Sequence, residues 1–143
     1  MIIPTPLPKT QIHEIWMFMA RDDKSDNLVL WLFDGVTVGK HEDIITQVNQ
    51  GDIIIWRRPE GSGIYEVAVR GDGSVERQVF DAPPATFRGH PDVFQATIKE
   101  DATGDYHYNI LVNGIFFDPK IRVLANVLAR NSRKEKHSTL AKA

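Results

Sequence analysis

The feature that most constrains this chain is its punctuation. Turn-forming residues recur at Asp22-Asp23, Asp34-Gly35, Gly51-Asp52, Gly61-Ser62-Gly63, Gly71-Asp72-Gly73, Pro83-Pro84, Gly104-Asp105 and Asn113-Gly114. The runs between them are short and rich in Ile, Val, Trp, Tyr and Phe. Strand-forming runs at this spacing, without helices between them, predict an all-β sandwich or barrel. Candidate strands fall at residues 11–19, 28–33, 52–57, 64–70, 75–80, 93–99, 105–112, 115–117 and 120–124.

Alternation within these runs assigns faces. Tyr106, Tyr108, Ile110 and Val112 share one side, as do Tyr65, Val67 and Val69, and again Phe94, Ala96 and Ile98. With Ile54 and Trp56 they form the expected core, because a half-buried strand points every second side chain inward. Two runs break the pattern. Leu28-Val-Leu-Trp-Leu-Phe33 is apolar on both faces, and residues 12–19 hold only His13 and Glu14 as polar side chains. A two-layer sandwich needs one apolar face per strand. The surplus marks Trp16, Phe18, Leu30, Trp31, Leu32 and Phe33 as an expected contact with another protein or a second copy of the chain. The best helical windows are 41–49 and 123–130. In the second, Leu124, Val127 and Leu128 could line one stripe.

The 143 residues suffice for one domain that buries roughly two thirds of its unfolded surface. There is no cysteine, which removes disulfides, thiolate metal sites and Cys nucleophiles. No run approaches the ~18 consecutive apolar residues of a membrane span. The N-terminus shows prolines at 4, 6 and 8 in place of a signal core, so the cytoplasm is the expected location, with a trimmed secreted form as the alternative. The net charge of −2 is uneven: residues 124–143 carry +4, which leaves −6 on residues 1–123. An acidic body repels phosphates and argues against nucleic acid as a partner. The basic tail suits an acidic surface.

Two segments carry a resemblance. Gly51, Asp52, Ile54 and Trp56, together with Gly104, Tyr106 and Tyr108, resemble elements of the cupredoxin-like β-sandwich, a Greek-key fold; the resemblance covers about residues 36–123. It implies a Gly-Asp turn feeding Ile54 and Trp56 into the core. Type 1 copper in that family needs two His, a Cys and usually a Met. The Cys position carries over to Ile110, no His follows Trp56 near Ile64-Tyr65, and no Met occurs after Met19. The resemblance therefore implies a relative without copper or other cofactor, of the class that serves in binding or assembly. The expected organisation is a Pro-rich arm at 1–10, a sandwich at 11–124 and a basic tail at 125–143, helical or disordered.

Other chemistry is sparse. No serine lies in a G-x-S-x-G elbow, and no glycine-rich run has a P-loop's lysine. The histidines form no H-x-H or H-x-x-x-H pair. His90 with Asp92, and His41 with Asp43, place a carboxylate near an imidazole, as a general base or metal site requires. The expected function is thus a non-catalytic binding or assembly module, self-associating or bound to another protein. The alternative is a small enzyme or metal-dependent protein built around His90, Asp92, His41 and Asp43. From about Arg130 onward the tail lacks apolar periodicity and is not expected to pack in the core. Deleting residues 131–143 is expected to leave the melting temperature nearly unchanged by calorimetry, and a large drop would show that the tail docks.

Overall fold

The computed structural model describes residues 10–71, 78–88 and 90–125, so most of the expected arm and tail lies outside it. The described residues form twelve strands. β1 (Ile12–Arg21), β2 (Leu28–Phe33), β3 (Val38–Lys40), β4 (Ile45–Asn49), β5 (Ile53–Arg57) and β6 (Val67–Arg70) come first. β7 (Ala85–Phe87), β8 (His90–Thr97), β9 (Gly104–His107), β10 (Asn109–Val112), β11 (Ile115–Phe117) and β12 (Lys120–Leu124) follow. A six-stranded sheet runs β3-β2-β1-β5-β8-β7, and two three-stranded sheets run β11-β10-β6 and β4-β12-β9. The β1–β5 and β4–β12 pairs are parallel and all other pairs are antiparallel. The chain is all-β, and among the described residues no helix is long and apolar enough to cross a membrane.

One apolar cluster draws on all three sheets. Ile15, Met17, Leu30, Leu32, Ile54 and Trp56 enter it from the six-stranded sheet; Ile110, Val112, Ile121 and Val123 enter from the smaller ones. Its centre is aromatic. Trp56, Phe80 and Tyr108 lie 5.4–5.9 Å apart between ring centroids, mostly edge to face. The Trp56 indole N–H donates to the Tyr108 hydroxyl at 3.0 Å, so neither buried polar atom is orphaned.

The turn between β4 and β5 is stitched from below. Gly51 takes φ 80°, which a side chain would strain. The buried Asp52 carboxylate accepts the backbone N–H groups of Asn49 (2.9 Å) and Gln11 (3.1 Å). It also lies 2.7 Å from His13 Nε2, tying the turn to β1.

Four expectations need correction. Residues 41–49 are a turn followed by β4, not a helix. Ile44, Thr46 and Val48 are buried at period two, and these β-branched side chains favour the pleated surface beside β12. Of the second helical window, Val123 and Leu124 belong to β12, and residues 126–130 lie outside the described part. The run 105–112 is two strands in different sheets, because the chain crosses between sheets at Tyr108, whose N–H donates to the Pro119 carbonyl. Tyr106 is accordingly only partly buried. Tyr65 is 76% exposed, since β6 begins two residues after it. Residues 75–77 of another expected strand are outside the described part, and Phe80 makes a single bridge to Ile98.

Trp56→Ala is expected to cost ~3–5 kcal/mol in denaturant unfolding, as a large buried aromatic. Burial holds the Tyr108 phenol neutral well above its usual range, against a smaller opposite effect of the Trp56 hydrogen bond. A raised folded-state value means stability that is complete below pH ~10 and lost as pH rises beyond it. Tyr108→Phe should remove that alkaline loss and, by orphaning the Trp56 N–H, cost ~1–3 kcal/mol at neutral pH.

Candidate functional site

The outer face of the six-stranded sheet follows from register. Ile15 and Met17 of β1 point inward, so Trp16 and Phe18 point outward, opposite Phe33 and Trp31 of β2. Phe33 pairs with Val38 of β3, and Trp16 pairs with Arg57 of β5, which pairs with Val93 of β8. Val38, Phe33, Trp16, Arg57 and Val93 thus form one row across five strands.

Part of this face covers itself. Phe18 and Trp31 stack with centroids 6.4 Å apart and planes 17° apart, and the Trp31 indole donates to the Ala20 carbonyl at 3.3 Å. The Arg57 guanidinium lies 5.9 Å from the Trp16 ring centroid. Arg57 Nε is 3.5 Å from a Glu14 carboxylate oxygen, close enough for charge pairing, but it is buried without an aligned hydrogen bond. Trp16, Phe18 and Trp31 are half-buried in consequence.

Of the six residues expected at a contact, Leu30 and Leu32 are fully buried in the chain's own core and available to no partner. Of the six, Phe33 stays open at 39% exposed, beside two residues that sequence reasoning missed, Val36 at 91% and Val38 at 56%; at the far end of β1, Ile12 is 61% exposed on the same face. Phe33, Val36 and Val38 sit on the β2–β3 hairpin. Asp34 accepts the N–H groups of Val36 (3.0 Å) and Thr37 (2.7 Å), and Gly35 takes φ 91°. The signal was Asp34-Gly35, a turn that fixes its own backbone and leaves Val36 at its tip.

The alternative site does not assemble. β3, which leads into His41 and Asp43, and β8, which begins at His90, are four strand spacings apart in one sheet, about 19 Å along it at ~4.8 Å each. His41 packs edge-on against Phe117 with centroids 4.7 Å apart. Asp43 lies 3.8 Å from the Lys40 ammonium. Asp92 is hydrogen-bonded to the Arg58 guanidinium, and His90 is exposed. No group of three or more His, Asp or Glu is placed to hold a metal among the described residues. The chain has no cysteine to supply a thiolate, and Ile110 is a fully buried core side chain.

Lys40 organises the turns around it. Its side chain is only 8% exposed, with the ammonium 2.8 Å from Asp22, 3.3 Å from Asp23 and 3.8 Å from both Glu42 and Asp43. The hydrogen bond from Lys40 holds the Asp22 carboxyl well below the usual carboxylate range, and the Asp22 partner raises Lys40 in turn. Compared with models of known protein families and with curated proteins, the chain matches none.

Burial lowers the His41 value; Glu42, Asp118 and Asp43 oppose the shift, and Lys40 adds to it. A depressed folded-state value means stability present above pH ~6.5 and lost as pH falls below it. Denaturant unfolding between pH 7.5 and 5.5 is expected to show that loss. His41→Phe should flatten it, and an unchanged slope would remove His41 as its source.

Proposed function

We propose that this chain is a non-catalytic binding module on a cupredoxin-like sandwich without copper, and that it self-associates through the outer face of the six-stranded sheet. The observation that carries the reading is the rigid hairpin holding Phe33, Val36 and Val38 open beside Trp16. Contiguous apolar side chains facing water mark interaction surfaces, and a symmetric dimer is the simplest way to close one. Arg57 of this row and Glu14 beside it carry opposite charges. Two copies related by a two-fold axis can exchange these partners, which favours a second copy over an unrelated protein. The fold assignment draws on the meeting of the two resembling segments at the Trp56–Tyr108 hydrogen bond.

Sedimentation velocity at micromolar concentration is expected to give a dimer, twice the 16.2 kDa of the chain. Val36→Asp should yield a monomer with folding stability within ~0.5 kcal/mol of the parent, since Val36 has few neighbours to lose. A parent protein that sediments as a monomer across that range overturns self-association.

A further inference from the structure

A second, separate feature lies where β5 leaves the sheet. Residues 58–65 and Asp92 line a cleft of about 530 Å³, within the usual range for small-molecule sites. Its wall is the Pro59-Glu60-Gly61-Ser62-Gly63 loop, and the wall is held from two sides. On one side, the Met19 N–H donates to the Ser62 carbonyl at 2.7 Å, and the Ser62 N–H to the Pro59 carbonyl at 3.1 Å. Gly63, at φ 77°, lies so near Met19 that a Cβ there would sit 3.3 Å from the Met19 Cβ. On the other side, Asn113 acts as a clamp. Its side-chain oxygen accepts from the N–H groups of Tyr65 (2.9 Å) and Glu66 (3.2 Å), and its amide donates to the Gly63 carbonyl at 2.9 Å. The loop is preorganised, so little ordering entropy opposes a ligand.

The polar groups on this scaffold are specific in kind. Arg58 donates through one terminal nitrogen to the Ile64 carbonyl (2.7 Å) and through the other to Asp92. The guanidinium is fixed in place and its charge is already balanced. With Glu60 on the rim, the cleft carries a net negative charge, which disfavours phosphate and other anions. A single exposed aromatic, Tyr65, does not make the cage that quaternary ammonium ligands require. What remains is a planar donor and a partly exposed carboxylate acceptor held side by side, with an exposed ring at the edge. Neighbouring hydroxyl groups on a carbon ring both donate and accept at that spacing, while the ring's C–H face suits an aromatic surface.

The geometry points to a binding site for a neutral saccharide, with Arg58 and Asp92 taking adjacent hydroxyls and Tyr65 lying against the sugar face. The site does not depend on the dimer surface. It is built by the loop after β5 and clamped from the β10–β11 turn, whereas the apolar row ends on the β2–β3 hairpin.

The test is a ¹⁵N–¹H correlation titration of the full chain with methyl glycosides of glucose, galactose and mannose, and with maltotriose, cellotriose and chitotriose. Choline chloride and sodium phosphate are titrated in parallel. Saturable shifts are expected for at least one saccharide at the amides of Gly61, Ser62, Gly63, Tyr65 and Asp92, without shifts at Phe33 or Val38. Tyr65→Ala should weaken that binding at least tenfold and Tyr65→Phe should preserve it; both leave the fold intact, because the ring is exposed. Asp92→Asn, which keeps the shape and removes the charged acceptor, should also weaken it. Val36→Asp should leave it unchanged. The inference is overturned if no saccharide gives saturable shifts at these amides, if only phosphate or choline does, or if Tyr65→Ala binds as well as the parent.

Discussion

The hydrogen bond from Trp56 to Tyr108 holds the architecture in register. Trp56 belongs to the large sheet; Tyr108 sits where the chain passes from the sheet of β9 to that of β10. A buried indole and a buried phenol each need a partner, and here each is the other's. Phe80 closes the trio from outside the named strands, where it forms an isolated bridge to Ile98. Three parts of the chain thus meet in one aromatic contact. Because the bond is directional, it selects one placement of the sheets, which apolar burial alone would not do.

That placement also explains the apolar surplus of the first strands. β1 and β2 carry core residues on one face and aromatic residues on the other, and most of the second face is spent on itself. Phe18 stacks on Trp31, and Arg57 spreads over Trp16. The exposed apolar surface is therefore narrower than a count of apolar residues suggests. Part of it lies on a hairpin whose backbone Asp34 fixes independently of any partner.

Much of the fold was legible in the sequence, for a physical reason. β2, β11 and β12 fall at their expected residues because each is an apolar run bounded by turn chemistry acting over two or three residues. The misreadings share a cause, since each depends on what lies across space. Ile44, Thr46 and Val48 satisfy period two, but the decision for a strand came from β12, which offers a parallel neighbour. Tyr65 continues an alternating pattern beyond the last residue that has a strand partner, and Asn113 claims its N–H instead. Tyr108 interrupts a run of perfect alternation because two sheets meet there. The candidate surface was half legible. The outward aromatics of β1 and β2 could be read, but Leu30 and Leu32 needed the register to place them inside, and Val36 and Val38 were hidden in a segment read only as a turn. At the Arg58 cleft the sequence shows only the Gly61-Ser62-Gly63 turn, since what holds that loop comes from Met19 and Asn113, both distant in sequence.

The parallel pairing of β4 with β12 has a consequence for how the molecule comes into being. Ile45 meets Lys120, and Asn49 meets Leu124, so β4 finds its sheet neighbour only after nearly all the intervening strands have been made. During synthesis the Ile44, Thr46 and Val48 side chains wait without their cover, and the loop to be closed is among the longest the described chain contains. Chain closure over such a span is slow, because its entropy is spent before its contacts form. The sheet that holds β4 is completed only when β12, the last of the described strands, is in place. Until then the nascent chain presents an open strand edge to whatever surrounds it.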